Sequence, residues 1–220
     1  MGNPNQQIYV VNRKHLFKNG IFQGFRDIEI EDYEAIILKN LEVMRRGSTI
    51  EPENHPLGNA ELSNDYKQPI GYAIVANISN KKVFAYKRAI KDQDYNEKRL
   101  QGKWSWGFGG HIEYSDTTTE NPIRTSMIRE VTLEELEIPG KIKSINTIGY
   151  INDETDSVGK VHFGILYLID TDAEMVNPKG NEGQIVESKN IIGLEELCNS
   201  IDCKVENWSK ISLDLLRKIL

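Results

Sequence analysis

Apolar residues along this chain fall into two spacings, alternate and three-to-four, and the switches between them mark out its elements. QQIYVVN (6–12), IGYAIVANI (70–78) and KVFAYKRAI (82–90) read as strands, the last two joined by the polar link SNKK. IEDYEAIILKNLEVMRR (30–46) sets Tyr33, Ile36, Ile37, Leu41 and Met44 at helical spacing, and Gly47 supplies a stop. Residues 48–69, rich in Pro, Asn, Ser and Gly, predict a loop, and so does the polar run 91–103. NPIRTSMIREVTLEELEI (121–138) predicts a helix capped by Asn121, with Pro122 at its first position and Pro139-Gly140 at its end. KSINTIGYI (143–151) and VHFGILYLID (161–170) predict strands around a polar turn. A short strand at 184–188 and an amphipathic helix at 205–220 complete the chain. Strands on both sides of a central helix, with a second helix at the end, predict an α/β (α+β) fold with a mixed sheet between helices. Residues 1–67 form an N-terminal extension of strand, helix and loop, and 68–220 the main domain.

Composition narrows the function. With 39% hydrophobic and 27% charged residues the chain fits an ordinary globular protein. It has no apolar run of membrane-span length. The start MGNPNQQIYV lacks a charged and then apolar signal, and Gln6 stands where a myristoylation site wants Ser or Thr. A cytoplasmic protein is expected, with Cys198 and Cys203 reduced and structural. A net charge of −6 argues against nucleic acid as the main partner, but not against a small phosphorylated ligand held by a few local cations.

The carboxylates of the 121–138 helix are the first chemical signal. At about 100° per residue, Ile123, Met127, Ile128 and Val131 share an apolar arc. Glu130 and Glu134 stack at its border, and Glu137 continues the line. An unpaired charge there is costly, and a divalent cation would resolve the cost. Taken alone, REVTLEELE reads more readily as a solvated acidic surface helix.

The stretch WSWGFGGHIEYSD (104–116) changes that balance. GGHIEYSD, followed by a helix with Arg-Glu and a Glu four residues beyond, resembles the Nudix box of the Nudix hydrolases. That pattern is a Gly, five residues, a Glu, seven residues, Arg-Glu, an aliphatic, any residue, Glu-Glu, any residue, Gly, an aliphatic. Gly110 matches the Gly, Asp116 stands at the first Glu, Arg129 and Glu130 match the pair, and Val131 the aliphatic. The likeness covers roughly residues 70–220 and is nearest to a bacterial subgroup of uncharacterised, phosphoesterase-like members. It implies a Nudix-type α/β/α sandwich. Two departures stand out. Twelve residues rather than seven separate Asp116 from Arg129, and Leu133 falls where the Glu-Glu pair should begin. Either Leu133 replaces one carboxylate, or one residue is inserted and Glu134-Glu135 are the pair. α-Helical geometry favours the first, because Glu135 turns about 100° away from Glu130.

The resemblance implies cleavage of a diphosphate linked to another moiety, with Mg²⁺ or Mn²⁺, in a nucleoside diphosphate-type substrate. Glu130 and Glu134 would be metal ligands, Glu134 also the base, and Gly110 would offer its carbonyl. Arg129 would orient a carboxylate through a forked ion pair. Arg88, at a strand end, is placed to meet phosphate, with Arg99 and Lys103 behind it. Trp104, Trp106 and Phe108 divide between base stacking and core, Trp106 being taken as the stacking candidate. Glu113 and Asp116 suit a supporting or additional metal role, Glu182 and Glu187 a distal base or ligand. His111 and His162 read as structural histidines. Two rivals stand beside the hydrolase: a ligand-binding sensor without turnover, favoured by Leu133, and an isomerase, disfavoured because both cysteines are late. Residues 1–67 suit a dimerisation or substrate-lid element, so a homodimer is one arrangement open to the chain.

Overall fold

The computed structural model describes residues 3–88, 98–179 and 183–220. In chain order the elements are β1 (Gln7–Asn12), α1 (Arg13–Leu16), β2 (Gly24–Arg26), α2 (Tyr33–Lys39), β3 (Leu41–Arg45), β4 (Tyr66–Asn77), β5 (Lys82–Arg88), β6 (Trp104–Ser105) and α3 (Pro122–Ile128). They continue with β7 (Leu136–Glu137), β8 (Ile142–Asn152), β9 (His162–Thr171), β10 (Asn177–Pro178), β11 (Gly183–Lys189), α4 (Ile191–Asn199) and α5 (Asn207–Ile219). The fold class is α+β, as the alternation of periods predicts. No helix among the described residues is long and apolar enough to cross a membrane.

Two compact units share these elements. One holds Met1–Gly71, Gly109–Met127 and Gly149–Ile165; the other holds Tyr72–Phe108, Ile128–Ile148 and Leu166–Leu220. In the first unit β1 pairs antiparallel with β3 and with the start of β4, and the order β9-β8-β2 holds its other strands. Here the predicted 30–46 helix proves to be two elements. α2 ends at Asn40, whose side-chain amide donates to Ile36 O (2.7 Å) and closes the last turn. Leu41–Arg45 is instead a strand, in register Gln7↔Arg45 to Val11↔Leu41. The pairing with β1 overrides the helical spacing of Leu41 and Met44.

The core of this unit is aromatic. Phe17, Phe22, Tyr33, Tyr150 and Phe163 meet edge-on or tilted, with centroids from 5.1 to 6.5 Å apart. Arg26 lies over Phe22 at 4.3 Å and donates to the Tyr33 hydroxyl at 3.0 Å.

Lys67 is fully buried beside this core. Its ammonium donates to Gly159 O at 2.7 Å and meets Glu154 at 2.8 Å. Burial pushes it down from 10.5 to about 8, against the pull of Glu154. Below pH 8 folded and unfolded chains both carry the proton, so the cost of burying the ammonium is present in full. Between about 8 and 10 the folded chain has released it and the unfolded chain has not, so stability rises with pH. Above 10 the trend reverses, because burial holds the Tyr33 and Tyr150 hydroxyls protonated up to about 12 while unfolded tyrosines ionise. Urea unfolding from pH 7 to 10 is expected to show a gain on the order of 2 kcal/mol, at 1.36 kcal/mol per unit, that Lys67→Met removes. A wild-type stability that falls across that window would refute the account.

In the second unit the order is β11-β5-β4, with β6 on β5. The link between β4 and β5 is a 3₁₀ turn whose last residue, Lys81, adopts the left-handed conformation (φ 54°). Tyr72 accepts and donates within a buried hydroxyl cluster, 3.1 Å from Ser105 Oγ and 2.8 Å from Ser209 Oγ, which ties β4 and β6 to α5. Gly107 passes so close to the Tyr72 ring that a Cβ would lie 1.9 Å from it, so only glycine fits there.

Candidate functional site

The segment after Asn121 is where the sequence and the structure diverge most usefully. Asn121 caps α3 as expected, accepting from Arg124 N at 2.9 Å. The helix, however, is α-helical only to Ile128. Arg129–Glu135 forms a π-helical turn, closed by Leu136 N–H donating to Val131 O five residues back, and Leu136–Glu137 is already strand. The side chains explain the switch. Thr132 Oγ1 donates to Ile128 O at 2.7 Å, competing for a carbonyl the α-helical ladder would use. Lys179 then satisfies two of the opened carbonyls, its ammonium reaching Thr132 O at 2.9 Å and its backbone N–H Glu135 O at 2.7 Å. Val131 anchors the turn in the core.

The turn gathers charge around one cation. Arg129 Nη1 donates to Glu130 Oε1 at 3.0 Å and to Glu134 Oε1 at 2.8 Å. Arg129 and Glu130 are largely buried, while half of the Glu134 side chain is exposed. Glu135 is half-buried and Leu133 is 69% exposed. A π turn takes about one residue more than the 3.6 of an α turn. Positions i+4 and i+5 from Glu130, which are Glu134 and Glu135, therefore stand where i+3 and i+4 would stand on an α-helix. Glu137 leaves the helix altogether. It lies on β7, opposite Asn177, whose amide donates to it at 3.2 Å. The sequence argument that turned Glu135 away assumed α geometry that the chain abandons at residue 129.

The other sequence candidates have structural partners of their own. Trp106 is fully buried, its indole N–H donating to Ser212 Oγ at 3.0 Å, which leaves no ring face open to a base. Phe108 is core, stacked on Tyr86 at 4.4 Å, and Trp104 is buried on β6. Arg88 is buried and ion-paired with Glu206. Arg99 sits half-buried in the short turn Lys98–Leu100, and Lys103 O accepts from Arg88 N–H at 2.9 Å. Glu187 lies on β11 opposite Ala85 and pairs with Lys189 at 2.5 Å. Glu182 lies outside the described residues.

Gly110 and its neighbours belong to the first unit. Tyr114–Thr118 is a 3₁₀ turn, capped by Glu113 accepting from the turn and by Asp116 Oδ2 accepting from Glu113 N–H at 2.8 Å. Gln6 Nε2 donates to Glu113 Oε1 at 2.7 Å. Both carboxylates thus hold the run-in to α3. His111 and His162 are hydrogen-bonded. They are also brought within ligand distance of each other and of Glu61, a residue the sequence reading passed over.

The donor set of the π turn is chemically suited to a hard divalent cation. Glu130, Glu134 and Glu135 offer only carboxylate oxygens, the preference of Mg²⁺ and Mn²⁺.

Relatives place this geometry in context. The chain matches no protein-family model. It is 32% identical to Protein YmaB of Bacillus subtilis over 228 residues, covering 98% of this chain and all of that one. The crystal structure of Tm1382, provisionally assigned as a Nudix hydrolase, superimposes with a TM-score of 0.70 at 25% identity, over 98% of this chain and all of that chain. DR0079 from Deinococcus radiodurans shares the fold, with a TM-score of 0.53 at 12% identity over 97% of this chain and 99% of that one. Residues 1–67 lie largely inside these alignments, so the segment is shared with those relatives.

Proposed function

We propose that the chain, a member of the Nudix hydrolase superfamily with the fold of Tm1382, is a divalent-metal-dependent pyrophosphohydrolase. Its substrate is a diphosphate joining a nucleoside to a second moiety. The observation that carries the reading is the π turn: Arg129 draws Glu130 and Glu134 together, and Glu135 follows at the position the extra residue creates. Glu130, Glu134 and Glu135 would hold Mg²⁺ or Mn²⁺. When bound, such an ion neutralises a diphosphate and favours in-line attack by water.

The chain's own residues divide the remaining work. Arg129 fixes the two carboxylates, so their geometry is set before substrate arrives. Glu134, the more exposed of that pair, takes a proton from the attacking water. The water oxygen bonds to phosphorus, the bridging P–O bond breaks, and two phosphomonoesters leave. The sensor reading rested on Leu133 as a lost carboxylate. With one residue inserted in the box, Glu134-Glu135 supply the pair and that argument lapses.

The test is a panel of ADP-ribose, dinucleoside polyphosphates, nucleotide sugars and nucleoside triphosphates, assayed with and without added Mg²⁺ or Mn²⁺. At least one compound is expected to be cleaved at its diphosphate only when metal is present. Tight binding of a panel member without turnover under any metal would overturn the hydrolase and leave the sensor.

A further inference from the structure

Three side chains far apart in sequence converge in the first unit. Glu61 lies in the 3₁₀ turn Ala60–Leu62, His111 bridges to Ile70 of β4, and His162 opens β9. Their ligand atoms all lie within 4.8 Å of one another, with Glu61 and His162 buried and His111 half-buried. His111 Nε2 is 3.4 Å from His162 Nε2. Two nitrogens bound to one tetrahedral ion at about 2.0–2.1 Å would be about 3.4 Å apart.

The surroundings prepare His162 as a ligand, whereas His111 Nε2 donates to Gln68 Oε1 and would move that hydrogen to its other ring nitrogen when an ion binds. His162 Nδ1 sits 2.8 Å from Val158 O. A carbonyl only accepts, so Nδ1 carries the hydrogen and the neutral ring keeps its lone pair on Nε2, facing His111. A backbone carbonyl on the far nitrogen is the usual support of a metal-bound imidazole. Gln68, itself buried, donates through Nε2 to Ala60 O at 3.0 Å, which turns Oε1 toward His111 Nε2 at 2.6 Å. Arg46 donates to Glu61 Oε1 at 3.2 Å and holds that carboxylate in place.

We infer that Glu61, His111 and His162, with Gln68 Oε1 as a fourth donor, form a site for a divalent transition ion of the zinc class. Two imidazoles, one carboxylate and one amide oxygen make a mixed N/O set, which selects zinc, cobalt or nickel over magnesium. The ion would tie the 60–62 turn, the residue after Gly110 and the head of β9 to one point. Without metal the same groups close as hydrogen bonds from His111 to Gln68 and His162, which is the competing arrangement.

The experiment strips the full-length protein with a chelator and titrates it with Co²⁺, read by visible absorption, and with Zn²⁺ by competition. One equivalent is expected to bind with a spectrum that excess Mg²⁺ does not erase. His162→Ala and Glu61→Gln should each lower its affinity more than about 100-fold, since removing even a supporting partner costs 10–100-fold. Glu130→Gln should leave that affinity unchanged, which separates this site from the carboxylate turn. X-ray absorption of the wild-type zinc form, which needs no variant to fold, should show two imidazole ligands. Failure of the wild type to take up an equivalent, an all-oxygen shell, or equal affinity in wild type and His162→Ala would each overturn the site.

Discussion

Replacing Glu135 with glutamine is expected to lower metal-dependent diphosphate hydrolysis by about 10²–10³-fold, the usual loss when one preorganised charge partner is removed. Glu130→Gln and Glu134→Gln should fall at least as far. Leu133→Glu should change the rate by less than about twofold, since Leu133 is 69% exposed and belongs to no carboxylate pair in the inserted register. The opposite pattern follows if the turn were α-helical and Leu133 stood for a missing ligand. Glu135→Gln would then be nearly silent, and Leu133→Glu would raise the rate. Steady-state kinetics on whichever panel compound is cleaved decide between them. Each tenfold loss corresponds to about 1.4 kcal/mol of transition-state stabilisation, so the predicted drop is far outside assay error. The five-residue bond from Leu136 N–H to Val131 O and the 2.8 Å contact from Arg129 to Glu134 underlie both expectations. Glu134 lies five residues beyond Arg129, and a π turn stacks residues at that spacing.

The same turn shows what the sequence could and could not reveal. Strands at 7–12, 82–88 and 162–171 were legible because short apolar runs between turn signals suit strands, and those at 82–88 and 162–171 are buried along most of their length. Asn121-Pro122 marked the start of α3 because capping is a local property. Leu41–Arg45 was misread because apolar residues at 41 and 44 suit a helix as well as a strand, and only the partner β1 decides. The π turn was hidden because α and π turns share composition. Its one trace was arithmetic, a box longer by one residue, which fits a lost carboxylate or an inserted residue, and α geometry favours the former. Glu61, His111 and His162 were illegible as a group, because no local rule links a loop glutamate to two distant histidines. Trp106 was ambiguous for a different reason. An indole can stack on a base or donate to a buried hydroxyl, and Ser212 is about a hundred residues away in sequence.

Arg88, expected from the sequence to meet phosphate, is buried against Glu206, and its variant carries the second large effect. A strand-end arginine before a glycine-rich turn invites a phosphate, yet Arg88 is paired with Glu206 where both side chains are at least nine-tenths buried. Its guanidinium also lies over Tyr86 at 5.1 Å. Glu206 is itself fixed, its N–H donating to Trp104 O at 3.0 Å and its carbonyl accepting from Lys210 N–H at the start of α5. Arg88→Met therefore leaves a carboxylate desolvated in a rigid place and is expected to cost about 3–5 kcal/mol. For a chain of this size that is a fall of roughly 6–20 °C in Tm, at 2–4 °C per kcal/mol. The double variant Arg88→Met/Glu206→Leu removes both charges and should recover most of the loss, because two apolar side chains can replace a buried pair at little cost. A phosphate clamp predicts otherwise: KM would rise, Tm would hold, and the second substitution would rescue nothing. Thermal and urea unfolding of the two variants, set beside their KM values, separates the roles. The coupling free energy from that double-mutant cycle is what assigns Arg88 to the fold or to the substrate.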